Sequence, residues 1–536
     1  MTGQFSWWQD GVIYQIYPRS FADASGDGVG DLRGIAGRLD YLEWLGVDAV
    51  WLSPFYPSPM ADFGYDISDY RGVDPLFGTL EDFDELLEEA RRRGIRMVID
   101  LVPNHTSDEH PWFAESRSSR DNPKRDWYVW HDPKPDGSPP NNWESVHGGG
   151  SCWKWDEKTR QYYLHTFQVE QPDLNWRNPR VREAMYDVMR FWLDRGVDGF
   201  RLDALSFCVK DDRLRDNPPN PGWKPGDPPW TRQIRLHSDD QPEMMDVVRE
   251  MRAVADEYGG GRVLIGELYL PLERLIAYYG TDLDGVHLPF NFGLVDLAKW
   301  EPRAVGRLIS AYETALPEGA WPNWVLGNHD QSRVATRLGE ERARLAQMLL
   351  LTLRGTPTCY YGDEIGMQDV PVHQDLVQDP QGKLSPGHSR DPERSPMQWD
   401  ASPNAGFCPP EADPWLPITG DYKEVNVEAQ KEASRSVLSL FRRLVGLRRE
   451  HPALISGSYE PLDPGDENVL AYQRSDGDSR ALVVLNFGPR TARPRLPKRL
   501  AASGAKLLCS TDPERKSLVD ADDLELGPYE GVLLST

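Results

Sequence analysis

The 536-residue sequence is poor in cysteine, short of positive charge and free of long apolar runs. Its five cysteines, Cys152, Cys208, Cys359, Cys408 and Cys509, are an odd number, lie far apart and form no C-x-x-C pair. Neither a disulfide framework nor a thiolate zinc site is expected from that pattern. Lys and Arg number 60 against 85 Asp and Glu, a net charge of −25. Nucleic acids and anionic membranes call for positive surface, so neither is expected as a partner. No segment approaches the ~18 apolar residues that span a bilayer. Met1 to Asp10 carry neither a basic n-region nor an apolar h-region. These absences lead to the expectation of a reduced, cytoplasmic protein acting on a small neutral molecule. No internal repeat or low-complexity tract stands out.

Charged residues make up 27% and hydrophobic residues 39% of the chain, the balance of a globular protein. At this length a large core can form without a metal or disulfide staple. The 19 Trp, 21 Tyr and 16 Phe offer either core packing or flat platforms for a ligand.

The apolar pattern alternates between short β-branched runs and amphipathic stretches. Strands are predicted at Val12–Tyr17, Ala49–Leu52, Arg96–Val102, Gly199–Asp203, Val263–Gly266, Gly285–Pro289, Trp324–Leu326 and Thr358–Tyr361. Helices are predicted between them, among others at Leu32–Leu45, Leu80–Arg93, Val181–Asp194 and Pro242–Tyr258, and after the last strand at Glu428–Arg449. Eight strand–helix units fit a closed (β/α)₈ TIM barrel of the α/β class better than an open sheet. The rhythm breaks between residues 104 and 175, which are rich in Pro, Gly, Trp, Asp and Asn and too long for a plain loop, so an inserted subdomain is expected after strand 3. The barrel is then residues 1–103 and 176–451. Residues 452–536 read as a separate C-terminal antiparallel β domain, expected as a sandwich.

Barrel chemistry sits at the C-terminal ends of strands. The fourth strand runs into Arg201-Leu-Asp203, the fifth into Glu267, the seventh into Asn328-His-Asp330 and the third into Asn104-His105. Arg201 and Asp203 lie two residues apart and share a strand face. A guanidinium beside Asp203 would hold it ionised, as an attacking carboxylate requires. Partial burial of Glu267 would raise its pKa, as a proton donor requires. Paired carboxylates on one rim serve glycoside hydrolysis, a metal centre or acid–base isomerisation; looser His/Asp/Glu clustering than metals need ranks the metal centre lower.

These runs closely resemble glycoside hydrolase family 13, the α-amylase family. The resemblance rests on Tyr14-Gln-Ile-Tyr-Pro18, Asp100-Leu-Val-Pro-Asn-His105, Gly199-Phe-Arg-Leu-Asp203, Glu267 and Asn328-His-Asp330. Gln171-Pro-Asp-Leu-Asn175, Ala61-Asp-Phe-Gly-Tyr-Asp66 and Arg394-Ser-Pro-Met-Gln-Trp399 are similar to its oligo-1,6-glucosidase and α-glucosidase branch. The resemblance implies Asp203 as nucleophile, Glu267 as acid and then base, and Asp330 as stabiliser of the transition state. It implies that Asp62, Tyr65, His105, Arg201, His329, Arg394 and Phe167 shape a pocket for the non-reducing glucose. The residue after the nucleophile, Ala204, resembles α-1,4-preferring members, in which it is Thr or smaller, rather than α-1,6-preferring ones, in which it is Val. The expected activity is therefore a retaining α-glucosidase on maltose-like α-glucosides, with transglucosylation alongside. The alternative is a transglycosidase or isomerase on the same scaffold, such as a sucrose isomerase or an oligo-1,6-glucosidase type. A monomer or homodimer is expected.

Asp23-Ala-Ser-Gly-Asp-Gly-Val-Gly-Asp31 places oxygen groups at every second residue, which suits a hard cation. The family often binds Ca²⁺, sometimes Mg²⁺, at this loop. The implied ligands are Asp23, Ser25, Asp27, the Val29 carbonyl and Asp31, as a structural site without any organic cofactor. His110, His147 and His165 have no metal-ligand partner at useful spacing and are read as structural.

Overall fold

The computed structural model describes residues 5–259, 261–496, 505–515 and 524–535. In chain order its strands are β1 Ile13–Ile16, β2 Ala49–Leu52, β3 Arg96–Leu101, β4 Trp130–His131, β5 Trp153–Asp156, β6 Gln161–Leu164, β7 Gly199–Leu202 and β8 Val263–Gly266. They continue with β9 Leu288–Pro289, β10 Asn323–Val325, β11 Thr356–Tyr360, β12 Ser458–Leu462, β13 Val469–Asp476, β14 Ser479–Asn486, β15 Lys506–Ser510 and β16 Gly531–Ser535. Eight of them form one parallel sheet in the order β10-β11-β1-β2-β3-β7-β8-β9, a nearly closed barrel. No ladder joins β9 to β10 among the described residues.

The barrel strands are continuously apolar because both faces are covered. Inside lie Ile13, Trp51, Val98, Ile265, Leu288 and Phe290; outside, a second core joins strands to helices. Full burial of each such side chain contributes about 1.5–3 kcal/mol, so a charge at Ile265 would unseat the barrel. The helix Pro179–Arg195 shows how the sequence frames these elements. Pro179 opens it, the Asn178 side chain accepts from Arg180 N–H, and Gly196 closes it at φ 99°.

The single helix expected over Leu32–Leu45 is two, Leu32–Ala36 and Leu39–Leu45, separated at Gly37, a poor helix former. The helix expected over Glu428–Arg449 is likewise two, Val427–Glu432 and Val437–Glu450. The second starts afresh because Ser436 caps it, accepting from Ser439 N–H.

Residues 104–175 hold the helix Pro111–Ser118 and the small sheet β4-β6-β5. Two bridges, His105 to Asp173 and Tyr128 to Leu174, tie the start of this insert to its end beside the barrel mouth. The C-terminal tail is one antiparallel sheet, β12-β13-β14-β16-β15. Its outer apolar face is covered by connections carrying Ala492, Leu524 and Leu526. The second hydrogen-bonded sheet that a sandwich calls for is not present among the described residues. No helix among the described residues is long and apolar enough to cross a membrane.

Candidate active site

The parallel ladder carries the first two acids to one rim. Asp203 N–H donates to Leu101 O at 2.9 Å, and Glu267 N–H donates to Leu202 O at 3.0 Å. Each acid therefore sits one step beyond its strand, side by side with the other. Asp330 arrives differently: Asn328 turns its side-chain oxygen back to accept Asp330 N–H at 2.9 Å.

Around Arg201 three carboxylates share one cation. Its Nη1 lies 3.1 Å from Asp100 Oδ1 and 2.5 Å from Asp203 Oδ1, and its Nη2 lies 2.8 Å from Glu267 Oε1. The second oxygen of Glu267 accepts Ala204 N–H at 2.8 Å. Ala204 reaches this position by adopting φ 46°, a left-handed conformation unusual for a residue with a Cβ. Burial pushes Asp203 well above the usual carboxylate range; Arg201 opposes this, while Glu267 and Asp100 reinforce it. Burial also raises Glu267, and lifts Asp100 to about 7 against the pull of Arg201. Arg201 does pull Asp203 down, as its placement suggests, but burial together with Glu267 and Asp100 outweighs it, so the expected net lowering is corrected to a net rise. A guanidinium divided among three buried acids offsets burial only in part, so Asp203 and Glu267 both stay shifted upward.

Around Asp330 the balance is reversed. Its Oδ1 accepts from Arg390 Nη1 at 3.0 Å and from Arg394 Nη2 at 2.7 Å. Arg390 Nη2 also reaches Asp62 Oδ1 at 2.8 Å and Asp379 Oδ1 at 2.7 Å. Burial acts to raise Asp330, but His329 and the guanidinium groups of Arg390, Arg394 and Arg201 outweigh it and hold this carboxyl far below its ordinary range. Burial drives His329 well below the usual imidazole value, so at working pH the permanent charges on the arginines carry the effect.

Aromatic and amide groups complete the wall. Tyr65 Oη lies 2.7 Å from His329 Nε2 and donates to Asp100 Oδ2 at 3.1 Å. His329 Nδ1 lies 2.8 Å from Gln15 Nε2, which fixes the neutral ring with its hydrogen on Nε2. Arg394 Nε donates to the His329 carbonyl at 2.8 Å. His105 is lowered to about 4 by burial. Its Nε2 lies 3.0 Å from Gln171 Nε2, and Gln171 donates on to Asp62 Oδ2 at 3.2 Å. The Phe167 ring sits 5.2 Å from His105, 5.3 Å from His147 and 5.6 Å from Phe207.

All ten acids, bases and pocket residues inferred from sequence therefore meet at one rim. Six further partners carry no role in the sequence reading: Arg390, Asp379, His147, and Asp100, Gln15 and Gln171, the last three lying inside the quoted motifs. His147 Nδ1 lies 3.0 Å from Gln168 Nε2 and 3.9 Å from Asp62 Oδ2, so it packs behind the pocket wall. The available signal for Arg390 was a second arginine four residues before Arg394 in a chain with a deficit of basic residues.

The loop from Asp23 to Asp31 lies apart from these clusters. Asp23 accepts Gly26 N–H at 2.6 Å and Gly28 N–H at 2.8 Å; Asp31 accepts Ala24, Ser25 and Gly34 N–H at 2.7–2.9 Å; Asp27 accepts Val29 N–H at 2.9 Å. Its carboxylates thus close the loop on its own amides. No group of three or more His, Cys, Asp or Glu side chains is gathered to hold a metal ion among the described residues.

Residues 15–457 match the family model described as alpha amylase, catalytic domain. A probable alpha-glucosidase of Rhizobium meliloti (strain 1021) is 44% identical over 511 residues, 92% of each chain. An oligo-1,6-glucosidase of Parageobacillus thermoglucosidasius is 40% identical over 563 residues, 98% of each chain. The crystal structure of an alpha-glucosyl transfer enzyme superimposes with a TM-score of 0.92 at 41% identity, covering 99% of this chain and 100% of that one.

Proposed function

The chain belongs to the α-amylase family of glycoside hydrolases, and on that premise we propose that it is a retaining α-glucosidase. It releases glucose from the non-reducing end of short α-glucosides, with maltose-like α-1,4 linkages preferred. The observation that carries this reading is the opposite protonation bias of two adjacent acid clusters. A double displacement calls for a carboxylate to attack, a neutral carboxyl to protonate the leaving oxygen, and a permanent anion to offset charge on the sugar.

Asp203 and Glu267 share one proton beside Arg201. As positive charge develops at the anomeric carbon next to Asp203, the anion is favoured there and the proton on Glu267. Glu267 then donates it to the glycosidic oxygen as Asp203 bonds to carbon. In the second step Glu267 takes a proton from a water whose oxygen bonds to the anomeric carbon, the carbon–oxygen bond to Asp203 breaks and returns its carboxylate, and the sugar leaves with its α-configuration retained. Asp330, held ionised by Arg390 and Arg394, accepts ring hydroxyls and stabilises the oxocarbenium-like charge. Tyr65 and Phe167 supply apolar faces for the ring.

Pure protein incubated with maltose, isomaltose and sucrose tests this. α-Glucose from maltose, released faster than from isomaltose, is the expected result. β-Glucose as the first product would overturn retention. Absence of glucose from both maltose and p-nitrophenyl α-glucoside would overturn the hydrolase reading. An isomerised disaccharide from sucrose would move the assignment to the isomerase alternative, and glucosylated acceptors would add transfer. The alpha-glucosyl transfer enzyme's likeness supports looking for that last product.

For the 23–31 loop we propose a bound hard cation, Ca²⁺ or Mg²⁺, supported by the all-oxygen donor set of Asp23, Ser25, Asp27, the Val29 carbonyl and Asp31. A Tm lowered by EDTA and restored by Ca²⁺ supports it; an unchanged Tm with metal-free protein by mass spectrometry leaves the loop closed by its amides alone. The five cysteines are buried and unpaired, which supports a reducing compartment.

A further inference from the structure

Lys210 stands seven residues beyond Asp203 and is 7% exposed; no other lysine among the described residues is buried. Its Nζ donates to Asn104 Oδ1 at 2.7 Å and lies 2.7 Å from Asp173 Oδ2. Both partners are 0% exposed. The three come from separate segments: Asn104 follows β3, Asp173 stands where the insert returns to the barrel, and Lys210 lies in the loop after β7.

Together they fix the direction of one amide. An ammonium only donates, so the Asn104 atom facing Lys210 is the oxygen. The two hydrogens on Asn104 Nδ2 then serve Asp173 Oδ1 at 3.3 Å and His105 Nδ1 at 3.0 Å. The Asp173 carboxylate only accepts, which enforces the same direction from the other side. His105 is 1% exposed, and its lowering to about 4 leaves the ring neutral at working pH. A neutral imidazole carries one hydrogen. Nδ1 accepts from Asn104, so the hydrogen sits on Nε2, which lies 3.1 Å from the Tyr65 carbonyl. Gln171 Nε2, 3.0 Å from that nitrogen, meets no lone pair there and keeps its bond to Asp62.

We propose that Lys210 is a positioning residue: through Asn104 it holds His105 as the Nε2–H tautomer, so that this ring offers a sugar hydroxyl a donor and never an acceptor. The part played at the sugar rests on the glucosidase reading; the tautomer does not.

Nitrogen-15 histidine spectra of the full chain, with the His105 signal assigned by its loss in His105→Gln, read the tautomer directly. A bare Nδ1 and a protonated Nε2 across neutral pH are expected. Lys210→Met removes the cation; buried Asp173 then takes up a proton, ceases to be acceptor-only and lets the Asn104 amide turn. The ring signals should move to a mixture of tautomers, whereas Lys210→Arg should keep the unaltered pattern. On maltose, Lys210→Met should raise KM about tenfold with kcat within about threefold, as loss of a bond to a non-reacting hydroxyl does, and Lys210→Arg should recover KM. A lysine needed for folding alone would lower kcat through the active fraction and leave KM and the ring signals unmoved, which overturns the proposal. A protonated Nδ1 in the unaltered protein overturns it too, with no variant required to fold. If maltose is not hydrolysed, the glucosidase reading fails while the ring signals still decide the tautomer.

Discussion

Two acid clusters lie side by side at the barrel mouth and behave in opposite ways. Asp100, Asp203 and Glu267 divide one guanidinium among them, and burial lifts all three. Asp62, Asp330 and Asp379 meet Arg390, and Asp330 meets Arg394 as well, so Asp330 is pinned in its charged form. Both clusters are buried and built from the same residue types. What separates them is one arginine, and that difference sorts the acids into a proton-sharing pair and a fixed anion.

The sharpest way to break the contrast is to remove the attacking oxygen. Asp203→Asn should cut turnover by roughly 10⁴–10⁶-fold with an unchanged circular dichroism spectrum; a variant retaining activity would refute the nucleophile. Next, Arg390→Met takes away the cation that distinguishes the second cluster. Breaking a buried pair of this kind costs about 3–5 kcal/mol, so kcat/KM should fall by at least about 10²-fold, and the acid limb of its pH profile should move upward as Asp330 becomes easier to protonate. An acid limb that stays in place would mean Arg394 alone holds Asp330.

Asp100→Asn adjusts the first cluster more gently. It removes one negative charge near the pair, so the shared proton leaves more easily. The alkaline limb of kcat/KM should shift to lower pH by about one unit; a shift the other way would show that Arg201 is not the common partner. His105 and His329, both lowered by burial, contribute nothing to that limb. The smallest effect is expected from Ala204→Gly. Relief of the left-handed backbone and loss of chain stiffness offset each other to within about 1 kcal/mol, and the amide to Glu267 is kept, so kcat read on maltose should stay within about threefold.

The acids were legible because each ends an apolar run, and a run's last residues mark the rim of a barrel. Arg390 and Asp379 were not, because they lie in the irregular stretch after β11, where no period assigns a side chain to a face. The net rise at Asp203 is hidden from the sequence for a related reason. Arg201 and Asp203 are neighbours in sequence, whereas Asp100 and Glu267 reach the same guanidinium from other strands, and only the folded sheet brings them together. Among the elements, β12 carries little strand signal: it is mostly exposed and contains Pro461. The break between Glu432 and Val437 depends on a single serine cap inside an otherwise helical pattern.

The sheet starts at β10 and ends at β9, so Asp330, which follows β10, and Glu267, which follows β8, hang near opposite ends of one long hydrogen-bonded ribbon. They face each other through the sheet's curvature and a few side-chain hydrogen bonds across the gap, such as Tyr279 Oη to the Trp321 carbonyl at 2.7 Å. The width of the mouth is therefore set at an unlaced seam, where a small change in coiling moves the fixed anion relative to the proton donor without breaking a single ladder bond. Hydrogen exchange at the amides of 323–325, compared with and without a sugar in the mouth, reads how far that seam draws in.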